Sequence, residues 1–141
     1  MEEMIRVSLL RELQDSGLVC LRHRGVPYCV VCFGDQTRAF ISICSHEDKI
    51  FAPEMKDACL VCPYHNVSFE AASGKVRDSN GKRVPTGLHA VETFTSDASV
   101  YLVAKEQHRI LMAESEARRA KRLAKKRRRG WLSFLGLRRK K

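Results

Sequence analysis

Cys44-Ser45-His46 is followed, after fifteen intervening residues, by Cys62-Pro63-Tyr64-His65. The pattern is C-x-H, x15, C-x-x-H, two short boxes that each offer one thiolate and one imidazole. Such a donor set suits a tetrahedral zinc or a mixed iron–sulfur cluster, because both accept soft sulfur and borderline nitrogen. Ligands only one residue apart are too close for the knuckle and helix of a common zinc finger. Two loops that each give one Cys and one His fit instead a two-iron, two-sulfur cluster in which one iron takes both Cys and the other both His. Zinc is the remaining alternative.

Loops of this kind need short strands to hold them. Residues 17–22 and Val26–Phe33 are apolar, β-branched runs separated by His23-Arg24-Gly25, which predicts a hairpin. A turn at Gly34-Asp35 leads into a strand over residues 38–44 with apolar residues on both faces, as a covered strand requires. Further strands are expected over residues 58–61, 67–70, 88–94 and 99–104, punctuated by Ser73-Gly74, Asn80-Gly81 and Pro85-Thr86-Gly87. Residues 9–13 suit a helical turn. The fold class is therefore all-β, a small antiparallel domain with two metal-binding loops.

Cys29 and Cys32, and Cys59 and Cys62, also form C-x-x-C pairs. Residues three apart on a strand point to opposite faces, so neither pair can converge while extended. Cys20, Cys29, Cys32 and Cys59 are read as small core residues. His23, His89 and His108 lack a partner at ligand spacing and are read as structural or solvated. Glu47 and Asp48 follow the first His as an acidic rim or a solvated loop.

The two boxes resemble the Rieske family, and the resemblance extends through Cys62–Val76, CPYHNVSFEAASGKV. Pro85-Thr86-Gly87 matches in position the proline-containing loop that covers the cluster in such proteins. The resemblance spans about residues 5–104 and implies one [2Fe-2S] cluster held by Cys44, His46, Cys62 and His65. In such a site the two ferric ions, two sulfides and two thiolates sum to zero charge, so neutral imidazoles ease electron uptake and raise the potential. Respiratory and photosynthetic members add a loop-to-loop disulfide and Ser and Tyr hydroxyls; the matching positions here are Lys49, Tyr64, Val67 and Phe69. The chain is more similar to the small ferredoxins that carry electrons from a flavoprotein reductase to a terminal oxygenase. Asn66 stands where the family has Gly, and Asn tolerates a left-handed backbone.

Charge divides the chain. Residues 106–141 hold 14 of the 26 Lys and Arg but only 3 of the 16 acids, giving that segment a net +11 and the remainder −1. A basic nucleic-acid-binding fold is thereby excluded for the body of the protein. The boundary is placed between a domain at 1–105 and a basic, amphipathic helical tail at 106–141, with Ile110, Ala113, Ala117, Ala120 and Ala124 as its apolar stripe. Trp131-Leu132-Ser133-Phe134-Leu135-Gly136-Leu137 between cationic clusters suits an interfacial anchor on anionic lipid. An acidic partner is the next occupant and nucleic acid the third. The tail is expected to be dispensable for the metal site.

The amino terminus carries acids where an export signal would carry Lys or Arg, and the longest apolar run before the tail is six residues. A cytoplasmic protein, peripheral at the inner face of the membrane, is expected, with reduced thiols. The functional reading is a one-electron carrier without catalysis of its own. The alternative is a cluster- or zinc-holding sensing module tethered to membrane or nucleic acid.

Overall fold

The computed structural model describes residues 2–134. The anchor residues Leu135 to Leu137 and the final cations Arg138 to Lys141 lie outside the described residues. The chain begins with β1 (Glu2–Leu9), α1 (Leu10–Ser16), β2 (Leu18–His23), β3 (Val26–Phe33) and β4 (Gln36–Ile41). Short strands β5 (Ile43–Cys44), β6 (Lys49–Ile50), β7 (Glu54–Lys56), β8 (Cys59–Val61), β9 (Ser68–Glu70) and β10 (Val76–Asp78) follow. The chain continues through β11 (Ala90–Val91), β12 (Thr93–Ser96), β13 (Ser99–Lys105) and α2 (Glu106–Phe134). All strand pairings are antiparallel, in sheets ordered β1-β13-β12, β10-β9-β8-β7, β11-β4-β3-β2 and β5-β6. The all-β expectation holds, as does the β2–β3 hairpin.

Three hairpins are closed by two residues that both have positive φ: Arg24-Gly25, Asp57-Ala58 and Asp97-Ala98. That conformation is the tight turn whose twist matches the twist of the flanking strands. It fixes the registers His23↔Val26, Lys56↔Cys59 and Ser96↔Ser99. Alanine at φ +59° and +62° is unusual, which is why the last two turns carry no sequence signal and β7 was not foreseen.

β3 is buried from Val26 to Cys32 and divides the interior in two. Its alternation sends Tyr28, Val30 and Cys32 into one apolar cluster with Leu13, Ile41, Leu102 and Met112. Cys29 and Val31 enter the other, with Phe40, Leu60, Phe69 and the two loop cysteines Cys44 and Cys62. Cys29 and Cys32 therefore do face opposite ways. Cys59 is buried, but Cys20 is exposed, contrary to the core reading, although its cross-strand partner Cys29 is buried.

The first turns of α2 belong to the domain. His108, Met112 and Ser115 are buried and Leu111 packs on the first cluster, an i, i+3, i+4, i+7 face. Tyr28 Oη lies 3.0 Å from His108 Nδ1, which also accepts the Lys105 backbone N–H at 3.1 Å. The stripe expected from Ile110, Ala113, Ala117, Ala120 and Ala124 is exposed instead. The sequence reading missed the true face because two of its members, His108 and Ser115, are polar. Helix and charge boundary coincide at residue 106, yet packing continues past it.

Candidate metal centre

Each box sits on a hairpin. Cys44 ends β5, and the turn carrying Ser45, His46, Glu47 and Asp48 returns into β6 through the pairs Cys44↔Lys49 and Ile43↔Ile50. Cys62 follows β8, and the second loop closes on itself: Asn66 N–H donates to Cys62 O at 2.9 Å and Cys62 N–H to Val67 O at 2.9 Å. Asn66 has φ +54°, the left-handed conformation expected of it.

The four donor residues converge as two pairs. Cys44 and Cys62 are fully buried in the second apolar cluster, at its edge toward the loops. His46 and His65 lie further out, their side chains 19% and 14% exposed, with rings meeting edge to face at 4.6 Å between centroids. Donor atoms of Cys44, Cys62 and His65 lie within 4.8 Å of one another, as do those of His46, Glu47 and His65, so His65 belongs to both sets. Buried sulfur inside and imidazole at the surface is the order that a cluster with both Cys on one iron and both His on the other requires. Burial pushes the Cys44 thiol up to about 11, the backbone N–H of His46 opposes that, and the neighbouring Cys62 adds to it. Two ionised thiols are unfavourable here unless a cation sits beside them, and a coordinated thiol is deprotonated outright. The donor set fits a [2Fe-2S] group on these grounds.

A third segment covers the pair. Ser45 Oγ donates to Thr86 O at 2.7 Å, His46 Nδ1 lies 3.0 Å from Arg83 O, and Asn80 Nδ2 donates to His65 O at 3.1 Å. The loop holding Pro85-Thr86-Gly87 is thus tied to both boxes, where the resemblance places a covering loop. Lys49 Nζ stands 3.7 Å from the Tyr64 ring centroid, so the positions that hold a loop-to-loop disulfide in other branches hold a cation–π contact here. Val67 and Phe69 are fully buried and bring no hydroxyl to the site.

The two acids after His46 part company. Glu47 is half exposed, and its oxygens lie 3.7 Å from His46 Nε2 and 3.5 Å from His65 Nε2. Asp48 turns inward and is buried against α2, so it forms neither rim nor solvated loop. The residues on α2 that meet it were missed, because a charge run gives no sign that two of its arginines face the protein. His23 pairs with Glu3 at 3.2 Å, and His89 and His108 stack edge to face at 5.7 Å, all away from the donor set.

The sequence model of the Rieske [2Fe-2S] domain matches residues 3–109. No curated protein sequence matches the chain. Among solved structures, the ferredoxin of carbazole 1,9a-dioxygenase from Nocardioides aromaticivorans IC177 is 19% identical, with 72% of this chain and 98% of that chain covered and a TM-score of 0.60. The cyanobacterial plasma membrane Rieske protein PetC3 from Synechocystis PCC 6803 is 23% identical, over 70% of this chain and 97% of that one, with a TM-score of 0.60. A complex of reduced oxygenase and oxidized ferredoxin in carbazole 1,9a-dioxygenase contributes a chain 21% identical, covering 70% and 91%, at a TM-score of 0.60. At these identities the likeness is one of fold.

Proposed function

Because the chain belongs to the Rieske [2Fe-2S] domain family, we propose that Cys44, Cys62, His46 and His65 hold its cluster and that the protein carries single electrons from a flavoprotein reductase to a terminal oxygenase. When bound, the group supplies reversible one-electron oxidation and reduction at the loop tip. One observation carries the reading: the imidazole pair is the only part of the donor set that reaches the surface among the described residues. Electrons enter and leave where the path to a partner is shortest, beside His46, His65 and the exposed Tyr64 ring. The shared fold with a ferredoxin seen together with its oxygenase supports that class of acceptor. The terminal oxygenase of the Nocardioides system also shares the fold, and this chain spans 31% of its length.

Iron and acid-labile sulfide analysis of protein purified without air tests the assignment, with two of each per chain expected. One zinc without sulfide, or a single iron on His46, Glu47 and His65, would refute it. Reduction by NADH and a flavoprotein ferredoxin reductase, followed through the visible spectrum, tests the carrier role.

We infer in addition that the outer half of α2 places the protein on an anionic membrane face. Among the described residues no helix is long and apolar enough to cross a membrane. From residue 116 to 131 α2 is exposed throughout, and Leu123, Trp131 and Phe134 share one side of it at 47%, 62% and 86% exposure. Exposed Trp and Phe beside dense Lys and Arg favour a lipid interface over nucleic acid.

A further inference from the structure

Resting on that ligand assignment but going beyond it, we propose that Asp48 latches the first metal loop to α2 through Ser115, Arg118 and Arg122, which makes the C-terminal helix a positioning element of the redox site. Asp48 follows His46 by two residues and adopts φ +51°, a conformation that aims its side chain away from the imidazoles and under the helix. Its side chain is 4% exposed. Oδ1 accepts Ser115 Oγ at 3.2 Å and Arg118 Nε at 3.1 Å, with Arg118 Nη2 at 3.0 Å. Oδ2 lies 2.9 Å from Arg122 Nη1, an ion contact without an aligned N–H. Residues 115, 118 and 122 are spaced by three and four, so they form one row on a helix.

A pair of surface charges would mean little. Here the carboxylate is buried and its contacts are charge-assisted and multiple, the kind that fix geometry. The direction of the dependence follows from what else anchors each element. α2 is already fastened to the sheet by His108 on Tyr28 and by Met112 in the first cluster. The β5–β6 hairpin is two residues long on each side and pairs only with itself. Such a unit is unstable without outside tethers, which here are the covering loop at Ser45 and His46 and α2 at Asp48. Loop position therefore depends on the helix more than the helix depends on the loop. The family match ends at residue 109, so all three latch donors on α2 lie beyond it. On this proposal the tail is not wholly dispensable for the metal site, since residues up to 122 reach the loop.

The test uses the full-length holoprotein carrying Arg118→Gln and Arg122→Gln, beside a control with Lys125→Gln and Arg129→Gln, which makes the same charge change on the free half of α2. Amide exchange over residues 45–49, cluster bleaching under a chelator, and the electron paramagnetic resonance spectrum of the reduced protein are read. The latch variant should bleach on the order of 10-fold faster, the loss typical when a partner of a ligand's surroundings is removed. It should also exchange faster at 45–49, broaden the spectrum, and keep protection over residues 108–115. The control should behave as wild type. Equal behaviour of latch variant and wild type would overturn the proposal, as would an equal change in the control, which would signal net charge. Loss of protection at 108–115 would overturn it too, because the contacts would then hold the helix and not the loop. Should the double variant not fold, Arg122→Gln alone leaves Ser115 and Arg118 in place and should give the same pattern at smaller size; no change in it would count against the latch. If the wild type holds zinc, the ligand assignment fails, while exchange at 45–49 still reads the latch.

Discussion

Acidification should loosen the root of α2. His108 Nδ1 accepts the Lys105 N–H at 3.1 Å and the Tyr28 hydroxyl at 3.0 Å, so in the folded protein Nδ1 carries no proton and the ring is neutral with its proton on Nε2. Protonation of Nδ1 would set an N–H against the Lys105 N–H and would require the Tyr28 hydroxyl to turn and accept where it had donated. Burial lowers the His108 pKa, and His89 and Lys105 lower it further. The folded value thus lies below the unfolded one, and the folded state binds fewer protons between the two. The stabilisation from a neutral His108 is complete above the ordinary histidine value of about 6.5 and is lost as pH falls below it, levelling off once the folded value is passed. The steepest slope one group can give is about 1.4 kcal/mol per pH unit.

Amide exchange over residues 108–115, corrected for intrinsic rates, measures the opening free energy. It should fall between pH 6.5 and 5.5, by less than that limit, and change little between 7.5 and 6.5. Tyr28→Phe should cost about 1 kcal/mol at pH 7.5, one neutral hydrogen bond. His108→Leu orphans the buried Tyr28 hydroxyl and the half-buried Lys105 N–H. At about 1–3 kcal/mol for each unsatisfied donor, less for the half-buried one, the sum is about 2–4 kcal/mol. That variant should also lose most of the acid response, leaving the part due to exposed His89. Flat protection in the wild type from pH 7.5 to 5.5, or an undiminished acid response in His108→Leu, would refute the reasoning.

The midpoint potential should lie near the lower end of the Rieske range, on the order of −150 mV, because Val67 and Phe69 donate no hydrogen bonds to the cluster; Phe69→Tyr should raise it, and voltammetry finding wild type above roughly +100 mV would contradict this. Gly87→Ala should destabilise the covering loop by about 1–3 kcal/mol, since a Cβ there would press on the Gly74 carbonyl and sit 3.1 Å from Lys75 Cα, and thermal melting with faster chelator bleaching checks it. Full-length protein should co-sediment with anionic vesicles and less with neutral ones, at about 1 kcal/mol for each Lys or Arg near the surface. Salt should release most of it, and Trp131→Ala with Phe134→Ala should remove what salt leaves. A chain ending at Leu123, which keeps the latch, should lose vesicle binding and retain its cluster spectrum; equal pelleting of both chains would reject the membrane role.

The convergence of the four candidate donors was legible because its information is local: C-x-H and C-x-x-H each place two donors within one turn, and the turn chemistry around Asn66 and Gly34 is written in residue types. The strands flanking Arg24-Gly25 were legible for the same reason. β1 was not, since its partner β13 is a hundred residues away in the register Glu2↔Lys105 and its exposed face carries Glu2, Met4 and Arg6. Pairing over that separation leaves no mark on either segment alone. α2 was legible as a helix but not as a packed one. Its buried row joins His108 and Ser115 to Leu111 and Met112, and hydropathy alone favours the alanines on the opposite side.

The same blindness limits a charge count, which divides this chain at residue 106 with no sign of the contacts across that boundary. Net charge averages over a segment, whereas burial is decided by single side chains with single partners. Arg118 and Arg122 contribute to the +11 of residues 106–141 like any other cations, yet Asp48 on the body neutralises part of that charge where it matters for the site. The body's charge of −1 includes that same aspartate. Charge on the two sides is therefore matched locally, through one carboxylate two residues from His46, while other basic residues of α2 such as Arg119 and Lys121 stay exposed. A partner drawn to that surface meets a rigid helix whose root touches the sheet at His108 and the metal loop at Asp48. The segment proposed to localise the protein and the segment proposed to hold its metal loop are thus one continuous element.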